Sequence, residues 1–445
     1  MVASLSIMSA NWRSLLGVAR GQWCSSSRSF GTQHRHWATR QVSVDRRRGI
    51  SQAQAQSMMW KQAVAEERRL TLPEMLEFGE NANRHTVLLH AMFLQKELPV
   101  RLAKRIHDLR SLPKPMWSTR AVSSLISLYE ESFVRIVDHE PPRNSVAETA
   151  FSETLADILD RHRTVKANIA AGFAEMDKSG VQICSVESSE IQEVLTRFYR
   201  GRIGIRLLMK QHLSLRKDVD ARARRRQKGM STTAQDFVGC VKTRCRIKEV
   251  LETATADAQS ACALHLNCAP RVVINDNRKL TAAYIPEHLY VVLFEVLKNA
   301  MRATAERHRL QLESERGPRK GAPVLPPIVA TISGDGDCEV RISDQGGGIP
   351  PESLGRIWLF SFSSAAEGMA SLAGYGYGLP LSRLYARCWG GDLTVNNRPG
   401  QGVDCVVRLG VPPCSGAKPD RDHSRGKLPA WVAATTPAPK LTVAV

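Results

Sequence analysis

The chain has 445 residues, of which 43% are apolar, an ordinary content for a soluble globular protein with room for two domains and tails. No uninterrupted apolar run reaches membrane-spanning length, so a transmembrane segment is not expected. The formal net charge is +19, with +7 of it in residues 1–50, yet the chain shows no zinc module, aromatic-rich RNA motif or internal repeat, so the excess points to an acidic protein partner and not to nucleic acid.

The first 44 residues contain no Asp or Glu, several Ser, and Arg13, Arg20, Arg28, Arg35 and Arg40 set between apolar residues. Residues 1–45 therefore read as a mitochondrial transit peptide, and the mature protein as resident in the matrix. From residue 60 to 230 the helical period dominates, with breaks at Pro113, Pro115, Pro141 and Pro142, which predicts an antiparallel helix bundle. Within it Arg202 and Arg206 lie one turn apart, either as a forked pair able to hold a carboxylate or as two cations on a wet face. His162, in a charged helical stretch, is read as structural or solvated; phosphoacceptor chemistry is the sharper alternative. Residues 218–230 carry Arg222, Arg224, Arg225, Arg226 and Lys228 beside Gly229 and read as a solvated loop. Ten scattered Cys include no C-x-x-C pair, and Cys240 with Cys245 or Cys262 with Cys268 lack zinc spacing, so they read as reduced apolar fillers.

After Asp236-Phe237-Val238-Gly239 the pattern returns to helix, followed by a strand candidate at Arg271–Asn275. From Pro286 an amphipathic helix follows, with Leu289, Val292, Leu293, Val296, Leu297 and Ala300 forming an apolar stripe. Its opposite face presents Glu295, Lys298, Asn299 and Arg302, oxygen ligands for Mg²⁺ and cations for a polyphosphate. Residues 310–327 read as a surface excursion, and strands are predicted at Ile328–Ser333 and Cys338–Ser343. The second of these ends in Asp344-Gln345-Gly346-Gly347-Gly348-Ile349-Pro350. Next come Gly374-Tyr375-Gly376-Tyr377-Gly378-Leu379, opening a helix, then strands at 391–396 and 403–409. Strands interleaved with helices and no βαβ repeat give an α+β fold: a helix bundle at 60–230 and an α/β sandwich at 240–412. Residues 413–445 read as a flexible tail.

The order of these three motifs resembles the N box and two glycine boxes of the ATPase fold shared by sensor histidine kinases, Hsp90 chaperones and MutL. More closely, KNAMRAT, ISDQGGGIP and GYGYGLPLSRLYAR resemble the mitochondrial protein kinases of the 2-oxo acid dehydrogenase complexes. LQKELPVRLAKRI, LPK and GIRLLMKQHLSL are similar to that family's helical domain, and DFVG and CAPRVVIN to its branched-chain members. The resemblance implies an ATP-dependent serine kinase acting on the E1 subunit, more readily that of the branched-chain complex than that of the pyruvate complex. It further implies docking to the lipoyl-bearing E2 domain and a homodimer.

Residue by residue, the resemblance implies Asn299 as the Mg²⁺ ligand and Glu295 as general base. Lys298 and Arg302 would bind ATP, Asp344 would accept from the adenine amino group, and Gly346 and Gly348 would let the backbone approach the nucleotide. Ser363 and Ser364 match a Ser/Thr pair that contacts ATP, and Gly374, Tyr375, Gly376, Tyr377, Gly378 and Leu379 would wrap the phosphates. K⁺ is a further implied cation. Arg202 and Arg206 match a pair that binds a regulatory 2-oxo acid. Three departures stand out: Val291 where pyruvate dehydrogenase kinases have a His that tunes the Glu, Gln345 for a common Arg, and a short lid between Ser364 and Gly374 with fewer nucleotide and K⁺ contacts. In the tail, Ala430 precedes Trp431 where the family often has Asp-Trp. A non-kinase ATP-driven switch of the Hsp90 or MutL type is the alternative from another class, opposed by the helical domain and the SRLYAR helix. The chain has no Walker A loop and neither the H-R-D nor the D-F-G kinase signature.

Overall fold

The computed structural model describes residues 50–411 and Cys414, apart from 69, 179–187, 229–235, 277, 315–324, 335, 363–375 and 412–413; the side chains of 177–178 and 309–314 are also outside the description. The candidate transit peptide lies outside it, as does the candidate tail apart from Cys414.

The N-terminal half is helical: α1 (Gln52–Ala63), α2 (Leu72–Glu80), α3 (Arg84–Arg110), α4 (Lys114–Trp117), α5 (Arg120–Val137), α6 (Ser145–Arg161), α7 (Val165–Lys178) and α8 (Ser189–Gln227). The first three open with reciprocal capping pairs, Ser51 with Gln54, Thr71 with Glu74 and Asn83 with Thr86, which satisfy the first free amides. Helices break at Pro113 and before Ser145 as expected, but Pro99 lies buried inside α3 without ending it. The basic stretch read as a loop is the last part of α8, because Arg, Ala and Gln propagate a helix and no breaker precedes Gly229.

Helices α3 and α8 form the spine of the bundle, and their contact explains two glycines in mid-helix. A Cβ on Gly201 would fall 1.0 Å from Arg105 Nη1, and one on Gly204 would fall 2.9 Å from Arg101 Nη1. Two buried guanidiniums of α3 thus lie across the glycines of α8, where any side chain would displace them. Arg101 donates to Glu97 at 2.8 Å, and Arg105 pairs with Asp108 at 2.9 Å.

The C-terminal half contains two sheets. Strands β1 (Phe237–Val238), β2 (Val241–Arg246) and β4 (Thr281–Tyr284) form a small antiparallel sheet in the order β1-β2-β4. A hairpin thus intervenes after Asp236, and the expected helix begins only at Ile247. Gly239 makes the turn at φ +62°, and Gln211 of α8 accepts from Cys240 N at 2.8 Å. The alternation in Val241–Arg246 is too short to outweigh a helical reading in sequence, and docking on α8 decides it.

The larger sheet runs β3-β5-β6-β8-β7, from β3 (Val272–Asn275), β5 (Ile328–Ser333), β6 (Glu339–Ser343), β7 (Asp392–Arg398) and β8 (Gly402–Arg408). Only β3 and β5 are parallel. Helices α9 (Ile247–Leu266), α10 (Pro286–Ser314) and α12 (Gly378–Arg387) accompany it, and α11 (Pro351–Leu354) is a single turn. The predicted stripe is buried against the sheet: Leu289, Leu293 and Leu297 are at most 1% exposed and share a core with Val340 and Ile342. Helix α10 continues to Ser314, into the expected surface excursion, since its breakers begin only at Gly317. The fold is thus α+β, a helix bundle followed by an α/β sandwich. The eight described cysteines are free thiols, and burial pushes Cys240 and Cys245 up to about 12, as fits apolar fillers. No helix among the described residues is long and apolar enough to cross a membrane.

Candidate active site

Helix α10, the loop after β6 and the start of α12 enclose a cavity of about 620 Å³. Asn299, Arg302, Asp344, Gly346, Gly348, Gly376, Gly378 and Leu379 all line it. The α10 face reaches it by period, Asn299 and Arg302 being three residues apart. Arg302 also lies 3.8 Å from Glu306, one turn on.

Asp344 leaves β6 as a buried carboxylate. Its Oδ1 accepts from Gly346 N at 2.8 Å and Val403 N at 3.2 Å, leaving Oδ2 available to a ligand donor. Burial raises its carboxyl above the usual range, against the pull of those two N–H groups and of Arg398. Close approach explains Gly346, where a Cβ would sit 2.5 Å from Ala303 Cβ of α10. Sequence reasoning missed Asn397: its side chain accepts from Ile349 N and donates to Ile349 O, both at 2.8 Å, and fastens the glycine loop to β7. An isolated Asn within a strand carries no motif that would reveal it.

Glu295 and Lys298 do not lie on an open face. They are 5% and 9% exposed, and Lys298 Nζ donates to Glu295 Oε2 at 2.6 Å. Lys166 of α7 reaches Glu295 Oε1 at 3.7 Å from across the bundle. Burial alone would raise the Glu295 carboxyl, but Lys298 and Lys166 outweigh it and hold it down at about 2. A Cβ on Gly378 would lie 2.7 Å from Glu295 Oε2, so a side chain there would push on the carboxylate that the lysines hold.

Glu295 and Tyr377 line a second cavity of about 80 Å³ between the bundle and the sandwich, together with Arg163, Lys166, Arg202 and Arg206; Gly378 borders both cavities. Arg206 is 8% exposed, and its Nη1, like Arg202 Nε, has no hydrogen-bond partner among the described atoms. Burial and the neighbouring Arg202 both lower Arg206 below the usual guanidinium range. The pair therefore occupies an interface cavity and not a wet helix face. Arg202 Nη2 donates to His162 O at 2.7 Å, and His162 Nε2 meets Ser132 Oγ at 2.9 Å while its ring packs on Tyr129. Burial, then Arg202 and Arg206, press the imidazole down to about 3, so it is neutral and enclosed at 2% exposure, unsuited to accept a phosphoryl group. Tyr129 and Ser132 carried no signal in the sequence. Ser363, Ser364, Gly374 and Tyr375 lie outside the described residues.

A helix carrying Asn299, a strand ending in a buried Asp and a glycine-flanked helix N-terminus meet around one cavity, and the domain that holds them is of the ATPase class. Residues 284–413 match the family model of the histidine kinase-, DNA gyrase B- and HSP90-like ATPases. Residues 69–242 match that of the mitochondrial branched-chain alpha-ketoacid dehydrogenase kinases. Mitochondrial pyruvate dehydrogenase (acetyl-transferring) kinases from Arabidopsis thaliana and Drosophila melanogaster are 33% and 34% identical, over 76% of this chain and 89% and 81% of theirs. Human isozyme 4 is 32% identical over 76% of this chain and 80% of its own length. The chain belongs to the family of mitochondrial 2-oxo acid dehydrogenase kinases, ATP-using protein kinases.

Proposed function

We propose that the protein phosphorylates a serine of the E1 component of the pyruvate dehydrogenase complex in the mitochondrial matrix. The observation that carries this choice is likeness to pyruvate dehydrogenase kinases along three quarters of the chain. The branched-chain complex, favoured by DFVG and CAPRVVIN and by the description of the helical family model, is the second reading. Incubation with labelled ATP and each purified E1 decides between them; label on neither overturns the kinase assignment.

In this reading the large cavity takes ATP, with Asp344 accepting from the adenine amino group and the α12 N-terminus facing the phosphates. Asn299 would hold Mg²⁺ through its side-chain oxygen, and the ion would supply charge neutralisation for the transferred group. Glu295, at the wall between the cavities, orients and deprotonates the acceptor hydroxyl. Clamped by two ammonium groups it is a weak base, since basicity falls with pKa. The partnerless guanidinium atoms of Arg202 and Arg206 suit the carboxylate of a small 2-oxo acid, with Ser132, Tyr129 and His162 behind them.

A further inference from the structure

One face of α8 joins the bundle to the nucleotide cavity. Gln192, Tyr199 and Arg206 are spaced seven residues apart, two helical turns each, so they lie in one row. The Gln192 carboxamide is buried and satisfies both backbone groups of a single residue across the interface: Nε2 donates to Phe360 O at 3.2 Å, and Phe360 N donates to Oε1 at 2.8 Å. Tyr199 stacks on Phe360 with ring centroids 5.2 Å apart and meets Tyr377 edge-on at 5.8 Å. Arg206 ends the row in the cationic cavity.

Phe360 and Tyr377 each sit next to the wall of the larger cavity. Phe362, Gly376 and Gly378 line that wall, and a Cβ on Gly376 would fall 2.5 Å from Phe362 O, so the two segments are in direct contact. Ser361 Oγ donates to the Tyr377 hydroxyl at 3.0 Å and ties them again. A shift of Phe360 therefore carries Phe362, Gly376 and the start of α12 with it.

We propose that Gln192 is a positioning residue that fixes this wall, so that nucleotide affinity depends on one side chain of the helical bundle. It touches no ligand. Its action follows from hydrogen-bond accounting: in a buried interface, losing the carboxamide leaves a backbone donor and a backbone acceptor unmet, and the turn at Phe360 must move to satisfy them. The inference rests on the reading of the larger cavity as the nucleotide site.

The test uses the full chain, ADP as probe and isothermal calorimetry. Gln192→Leu removes both hydrogen bonds at similar volume and is expected to weaken ADP binding about tenfold, the effect of two net hydrogen bonds. Gln192→Glu keeps an acceptor for Phe360 N but sets an oxygen against Phe360 O, and is expected to weaken ADP at least as much. If Gln192→Leu loses its helical circular dichroism, Gln192→Glu and Gln192→Asn decide. ADP affinity within twofold of the unmutated chain in the folded variants overturns the proposal. An unmutated chain that binds no ADP overturns the nucleotide reading as well.

Discussion

The His212 core of the bundle and the sandwich treat buried polar groups in opposite ways. Around His212, away from the arginine cavity, they are tied to one another: His212 meets His90 at 3.2 Å and Ser152 at 2.9 Å, Ser152 donates to Glu148 at 2.6 Å, and Arg216 lies 3.4 Å from the same carboxylate. In the sandwich the polar groups converge on a cavity: Asp344 commits one oxygen and keeps the other, Asn299 lines the space, and Glu295 is held by cations at its wall. A satisfied buried network specifies shape, whereas a partly committed one is a place for a ligand. Substitutions in the sandwich cavity should therefore change activity more than stability, and titration inside the bundle should do the reverse.

The largest effect is expected at Glu295. Glu295→Gln should keep ATP binding and lower transfer to E1 by about 10²–10⁴-fold, the usual range for a positioned base. Steady-state labelling beside calorimetry measures both, and full transfer would remove Glu295 from the mechanism. Next, replacing Arg202 and Arg206 together by Ala should weaken inhibition by pyruvate or 4-methyl-2-oxopentanoate at least about a hundredfold, since two charge-assisted contacts are lost. Inhibition curves that coincide with those of the unmutated protein would place the inhibitor elsewhere. Asp344→Asn turns one acceptor into a donor and should reduce ATP affinity at least about tenfold. Calorimetry showing equal affinity would leave Asp344 as a loop cap alone.

An effect of another kind, on stability and not on activity, concerns pH and belongs mainly to the bundle. His90 and His162 are buried and held well below their ordinary value, His162 at about 3, and His288 at the interface at about 4, with burial the first cause in each case. Their folded values lie below the unfolded value of 6.5, so the unfolded chain binds more protons and stability falls as pH drops from about 6.5 toward 4. Each imidazole contributes a slope of roughly 1.4 kcal/mol per pH unit within that window. Glu295, also depressed, adds its loss only below about 4.5. Urea midpoints at pH 7, 6 and 5 should show this decline, and His162→Gln should flatten it; a midpoint constant down to pH 5 would contradict the burial of neutral imidazoles.

The sequence by itself determined the helical period of the bundle, the apolar stripe of α10, the five strands of the larger sheet to within two residues, and the run from Asp344 to Pro350. These are local: spacing along one element, or a residue type that only one backbone geometry tolerates. Only the tertiary structure decided that Glu295 is enclosed, because Lys166 reaches it from a helix 129 positions away in the chain. The same holds for the hairpin at Gly239, which becomes strand by docking on Gln211, and for the glycines of GRIG, which serve the arginines of another helix. Tyr129, Ser132, Gln192 and Asn397 are ordinary in their own stretches and acquire a role from partners brought near by folding, which no local pattern records.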